Sequence, residues 1–207
     1  MGPPRVVFWD VDTQVDFMLP GGQLYVPGAE KIISNLKRLV DAARQGRVLL
    51  VSSADAHLPD DEEFKDFPPH CVQGTPGQKK IPETLMPGPV VVPNAPDARL
   101  PEGFAAGQQV VIEKRKLDVF TNPSIEAVLE RVVKSSGSKQ PEFVVFGVVT
   151  EYCVHCAASG LLERGHRVAI VTDAIETLNP AVGQRTLDVL ISSGARLITT
   201  DEALALV

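Results

Sequence analysis

Cysteine, positive charge and long apolar runs are all scarce in this chain, and each scarcity removes a class of protein. Three cysteines among 207 residues, two of them only three apart at Cys153 and Cys156, form no even disulfide framework and suit a reducing compartment. Lys plus Arg number 20 against 26 Asp plus Glu, a net charge of -6. The basic footprint of a nucleic-acid or anionic-membrane partner is therefore missing, and a small molecule or a protein is the expected partner. No run reaches the ~18 apolar residues that a bilayer requires. The opening Met1-Gly-Pro-Pro-Arg5 lacks the apolar core of a secretory leader. A cytoplasmic location with no membrane partner is the expectation. No internal repeat, linker or low-complexity tract interrupts the chain.

What is present is globular: 44% hydrophobic and 22% charged residues lie close to the averages of folded domains. The length favours one domain, residues 1–207, over two. Nearly continuous apolar runs at 5–11, 47–53, 109–113, 142–149, 167–172 and 196–199 read as strands covered on both faces. Only a short candidate lies at 90–92. Between the runs fall helical patterns: 28–45, with Ile32, Leu36, Leu39 and Val40 on one stripe; 122–133, opened by Asn122-Pro123-Ser124; 150–164; and 180–193. Residues 56–108 hold much of the proline and glycine, and an irregular excursion of that length in a compact domain is usually functional.

Alternating strands and helices predict an α/β fold, a three-layer α/β/α sandwich around a mostly parallel six-stranded sheet. Ligand sites in such sheets lie beyond the carboxyl ends of the strands. Reading those ends gives Asp12, Asp55 with His57, Lys114 and Cys153. Cys153 falls in the first turn of a helix, where free amides and the helix dipole stabilise a thiolate. Asp12 can take its proton, and Lys114 favours the charged forms of both neighbours. Taken singly, Asp12 is as good a turn cap, Lys114 a solvated strand end and Cys153 a small buried hydrophobe. Their joint placement at one sheet edge favours chemistry. Asp55, His57 and His70 form an oxygen and nitrogen set suited to zinc, manganese or iron. The rival cluster, Cys153-Val-His155-Cys156, suits a redox dithiol. It makes a poor zinc site, because those positions of one helix cannot all face one ion.

The segment Asp12-Thr-Gln-Val-Asp16-Phe17 resembles the DxQxDF signature of the isochorismatase-like cysteine hydrolases, with surroundings similar to the nicotinamidases of that superfamily. Asp55-Ala-His57, Pro68-Pro-His70-Cys-Val-Gln-Gly-Thr-Pro, Glu113-Lys114-Arg and Gly147-Val-Val-Thr-Glu-Tyr-Cys153-Val agree in order. The resemblance covers almost the whole chain. It implies hydrolysis of nicotinamide to nicotinate and ammonia through a thioester, with Asp12, Lys114 and Cys153 as the catalytic triad. It further implies a cis peptide before Val149, an oxyanion hole from the Val149 and Cys153 amides, and a substrate ring between Phe17 and Phe67. One divalent ion, zinc first with manganese or iron as alternatives, is implied on Asp55, His57 and His70, in a homo-oligomer. Two positions depart from the pattern. Glu63 stands near where many members place a further histidine ligand, and Phe67 stands where a tryptophan often stacks. A related small amide as substrate, a dithiol redox protein and a catalytically inactive binding module are the alternative readings.

Overall fold

The computed structural model describes residues 5–207, so most of the amino-terminal stretch read above for a leader lies outside the described residues. The strands are β1 (Val6–Val11), β2 (Leu49–Asp55), β3 (Val90–Val92), β4 (Gln109–Lys114), β5 (Glu142–Val148), β6 (Arg167–Glu176) and β7 (Arg196–Ile198). They form one sheet in the order β3-β4-β2-β1-β5-β6-β7, and every pairing is parallel. The sheet thus has seven strands, one more than expected. The extra strand is the short candidate at 90–92, which pairs Val90 with Val110 and Val92 with Ile112. Three residues between Pro89 and Pro93 are too few to establish a period, and the free edge of β4 supplies the order their own sequence does not.

Successive strand residues face opposite layers, as the period of two demands. Val7, Trp9 and Val11 pack with α3 (Ile125–Ser136), α4 (His155–Glu163) and α5 (Pro180–Ser192), whereas Phe8 packs with α1 (Val15–Met18), α2 (Ala29–Arg44) and α6 (Thr200–Leu204). The predicted stripe of α2 is the buried one: Leu36, Leu39 and Val40 are fully covered and Ile32 nearly so, each contributing about 1.5–3 kcal/mol of burial. Gly28 starts the helix in a left-handed conformation without a side-chain cap. The C-terminal helix α6 was not read from the sequence, although its capping box of Thr199 and Glu202 is a legible start signal. No helix among the described residues is long and apolar enough to cross a membrane.

Strand order reverses direction around β1, with β2 on one side and β5 on the other, so the crevice expected of such a sheet opens above their carboxyl ends. The two strands meet there at close quarters. Gly147, paired with Val11, has φ +118°, and a Cβ on it would lie 2.1 Å from the Val11 carbonyl oxygen. Only glycine satisfies both conditions.

Candidate active site

Four of the predicted side chains converge in this crevice. Lys114 ends β4, one residue later than expected, and is fully buried. A buried ammonium requires partners. Its Nζ lies 2.9 Å from Asp12 Oδ2 and 3.5 Å from Cys153 Sγ, and it donates to Asp55 Oδ1. Asp12 turns the chain just beyond β1 with a left-handed φ of 48°. Ser53 Oγ donates to its Oδ1 at 2.7 Å, while Oδ2 has no hydrogen-bond partner of good geometry. That leaves Oδ2 free to accept a proton. Asp55 closes β2 and is held by Gln14, which donates to its carbonyl at 2.8 Å and accepts from its N–H at 2.7 Å.

Burial raises the Asp12 carboxyl above the usual carboxylate range, against the pull of Lys114. Burial also pushes the Cys153 thiol well up, with Lys114 opposing it and Asp12 and Asp55 reinforcing it. Asp55 goes the other way: burial opposes its charge, but Lys114 prevails and keeps it ionised. For Lys114, burial is outweighed by the two carboxylates and its pKa is held well above normal. Burial thus favours the neutral thiol of Cys153 beside the salt-bridged ammonium of Lys114.

The other oxygen of Asp55 faces a second cluster. Asp55 Oδ2 lies 3.8 Å from His57 Nε2 and 3.6 Å from His70 Nε2, and the ligand atoms of all three residues lie within 4.8 Å of one another. Glu63 Oε1 is 3.9 Å from each of the two Nε2 atoms, at the margin of this group. Both rings are oriented from behind. His70 Nδ1 is 2.8 Å from the Pro68 carbonyl, which only accepts, and His57 Nδ1 is 3.2 Å from Asp61 Oδ2. With the protons on Nδ1, both Nε2 lone pairs point inward, the second-sphere arrangement typical of metal-bound histidine. His57 Nε2 is buried with no hydrogen-bond partner. Burial depresses the His57 pKa, yet Asp55, Asp61 and Glu63 overcome that and raise it, while burial and Asp55 raise Glu63. These surroundings favour a cation, and the residues fit a divalent metal.

A pocket joins the two clusters. Cys153, Asp55, His70 and Glu63 lie on one side, and Phe17, Leu24, Phe67, Leu117, Val149, Tyr152 and Leu178 supply apolar walls. Phe17 packs on His70 with ring centroids 5.3 Å apart, and Phe67 meets Tyr152 edge-on at 5.9 Å. The Val148–Val149 peptide is cis. Thr150–Val154 form a single wide helical turn that continues into α4. His155 and Cys156 are half-buried outside the cluster, and all three cysteines are free. Reading the sequence did not find Ser53, Asp61 or the supporting role of Gln14. Gln14 sits inside the DxQxDF segment and was findable, whereas Ser53 and Asp61 carry no local signal.

This chain belongs to the isochorismatase family, whose domain model matches residues 7–202, and its class is hydrolase. Among curated proteins it is similar to the nicotinamidase of Escherichia coli (strain K12), 25% identical over 209 residues covering 95% of each chain. Among solved structures, the pyrazinamidase of Pyrococcus horikoshii in complex with zinc aligns with TM-score 0.73 and 27% identity, covering 95% of this chain and 99% of that one. The fold also matches N-carbamoylsarcosine amidase from Thermoplasma acidophilum, with TM-score 0.71, 22% identity and 95% and 97% coverage.

Proposed function

We propose that the protein is a nicotinamidase-type amidohydrolase that converts nicotinamide to nicotinate and ammonia with Cys153 as nucleophile. The observation that carries this reading is the double use of Asp55, one oxygen on Lys114 beside the thiol and the other among His57, His70 and Glu63. That arrangement ties a nucleophile to a metal-binding set across one apolar pocket. A flat aromatic amide with a basic ring nitrogen matches both ends.

As Cys153 Sγ attacks the carboxamide carbon, its proton passes to Asp12 Oδ2. Lys114 lies close to both atoms and offsets the charge that moves between them. The N–H groups of Val149 and Cys153 hold the developing oxyanion, each worth about 3 kcal/mol in comparable sites. Asp12 returns the proton to the departing nitrogen, which leaves as ammonia. Water then cleaves the thioester with Asp12 as base. Phe17 and Phe67 flank the ring. A divalent ion held by Asp55, His57, His70 and Glu63 would supply a Lewis-acid contact for the ring nitrogen. The two carboxylates make manganese or iron credible beside zinc. A homo-oligomeric, cytoplasmic enzyme returning nicotinamide to pyridine-nucleotide synthesis completes the proposal.

The test is ammonia release across an amide panel including nicotinamide and pyrazinamide, with and without added zinc, manganese or iron(II). Metal-dependent turnover of the pyridine and pyrazine amides is the expected result. Preference for an aliphatic amide would keep the triad and overturn the substrate, and no turnover of any amide would favour a binding module.

A further inference from the structure

Glu151 lies two residues before the nucleophile, and none of the chemistry above uses it. Its carboxylate is nevertheless fully engaged. Oε1 accepts from the Leu178 N–H at 3.0 Å and the Asn179 N–H at 2.9 Å, and Oε2 accepts from Thr177 Oγ1 at 2.6 Å. The neighbouring Thr150 Oγ1 donates to the Glu176 carbonyl at 2.8 Å. The turn that leads into the nucleophile therefore grips the last residue of β6 and all three residues that connect it to α5. From the far side Asn179 caps α5, accepting from the N–H groups of Ala181 and Val182. Gly183 leaves room for Thr177, since a Cβ there would come within 2.5 Å of its Oγ1. A connection that would otherwise be an exposed loop is fixed against the helix of Cys153.

The residue this grip positions is Leu178. It is 42% exposed, yet it lines the pocket with Phe17, Phe67 and Cys153. One face closes the pocket while the other meets solvent. We infer that Leu178 is a specificity-determining wall, and that Glu151 is the positioning residue that holds it at the distance admitting a single flat ring and excluding larger amides. This inference rests on the active-site reading above but not on the identity of the amide.

The test measures access to Cys153 directly. In a Cys156→Ser background, the rates of Cys153 alkylation by iodoacetamide and by N-benzyl iodoacetamide are followed by intact mass at one pH, and their ratio reports pocket width independently of any substrate. Leu178→Ala should raise the bulky-to-small ratio by about tenfold, the scale at which apolar pockets discriminate size, and Leu178→Trp should lower it. Glu151→Ala should shift the ratio in the same direction as Leu178→Ala, and Glu151→Gln, which retains an acceptor oxygen, should fall between it and the parent. With ring-substituted nicotinamides as substrates, Glu151→Ala should act mainly through KM, with a smaller change in kcat. An unchanged ratio in the Leu178 variants overturns the wall, and an effect of Leu178 with none of Glu151 overturns the positioning. Because Leu178 is exposed, its variants fold whether or not Glu151→Ala does. If the parent hydrolyses no nicotinamide, the alkylation ratios still decide this inference while the substrate proposal falls.

Discussion

Cys153 and Cys156 are three positions apart, yet only Cys153 touches charged groups. Cys153→Ala should therefore abolish amide hydrolysis while Cys156→Ala keeps most of it, measured as ammonia release. Equal loss from both, with folding intact, would count against the thioester route. Asp12→Asn removes the carboxylate to which the proposed mechanism passes the thiol proton, and should lower turnover at least ~100-fold, a modest share of what a positioned base contributes. Lys114→Ala should cost as much in turnover, and here the structure adds a second consequence. Two buried carboxylates lose their counter-ion, so stability in a urea titration should fall by about 3–5 kcal/mol. Because burial holds the Cys153 thiol above its usual value of 9.0, the rate of Cys153 alkylation should keep climbing with pH through that value. A plateau near neutrality would show a preformed thiolate. That Asp12, Lys114 and Cys153 meet was legible because each lies at, or within a turn beyond, the carboxyl end of a strand on the edge where ligands bind. Ser53 was not, since it reads as one more residue of an apolar strand until register places it beside Asp12.

Periodicity made the core elements readable, and its absence hid the rest. The excursion after β2 is fastened by contacts that no local pattern announces. Lys80, 7% exposed, reaches Asp10 Oδ2 at 2.8 Å and Thr13 Oγ1 at 2.9 Å, and Ser52 Oγ donates to the same Asp10 oxygen. Thr13 donates to Asp10 Oδ1, so the ion pair braces the backbone next to Asp12. Removing one partner strands a buried charge. Lys80→Met should lose about 3–5 kcal/mol by urea unfolding, and adding Asp10→Leu should restore part of it. If Lys80→Met is neutral, the pair contributes nothing to anchoring. Asp16 fastens a second point, accepting from the Cys71 N–H at 2.7 Å and the Gln23 N–H at 3.0 Å. Asp16→Asn should therefore alter stability in a urea titration more than it alters turnover.

At the scale of the whole molecule, the Asp55, His57 and His70 cluster proposed to hold a metal draws on the end of β2 and on the excursion, so an ion that binds only the folded chain should stabilise the fold globally. At a free concentration of 100 times Kd the gain is about 2.7 kcal/mol, visible as a melting temperature that rises with added metal and falls on chelation. His57→Ala should remove that response, and a response that survives the substitution would place the ion elsewhere. The outer limit of the sheet has a different consequence. Val90-Val91-Val92 is an edge strand of three β-branched residues, with Val91 48% exposed, and by composition it invites pairing with other molecules. Pro89 and Pro93 stand immediately on either side and lack the N–H groups that would lengthen the ladder. They act as gatekeepers against intermolecular sheet growth. A Pro89→Thr, Pro93→Thr variant should keep its catalytic site yet scatter light earlier on heating, as the edge extends and recruits further chains. Equal scattering by variant and parent would mean that the shortness of the strand alone protects it.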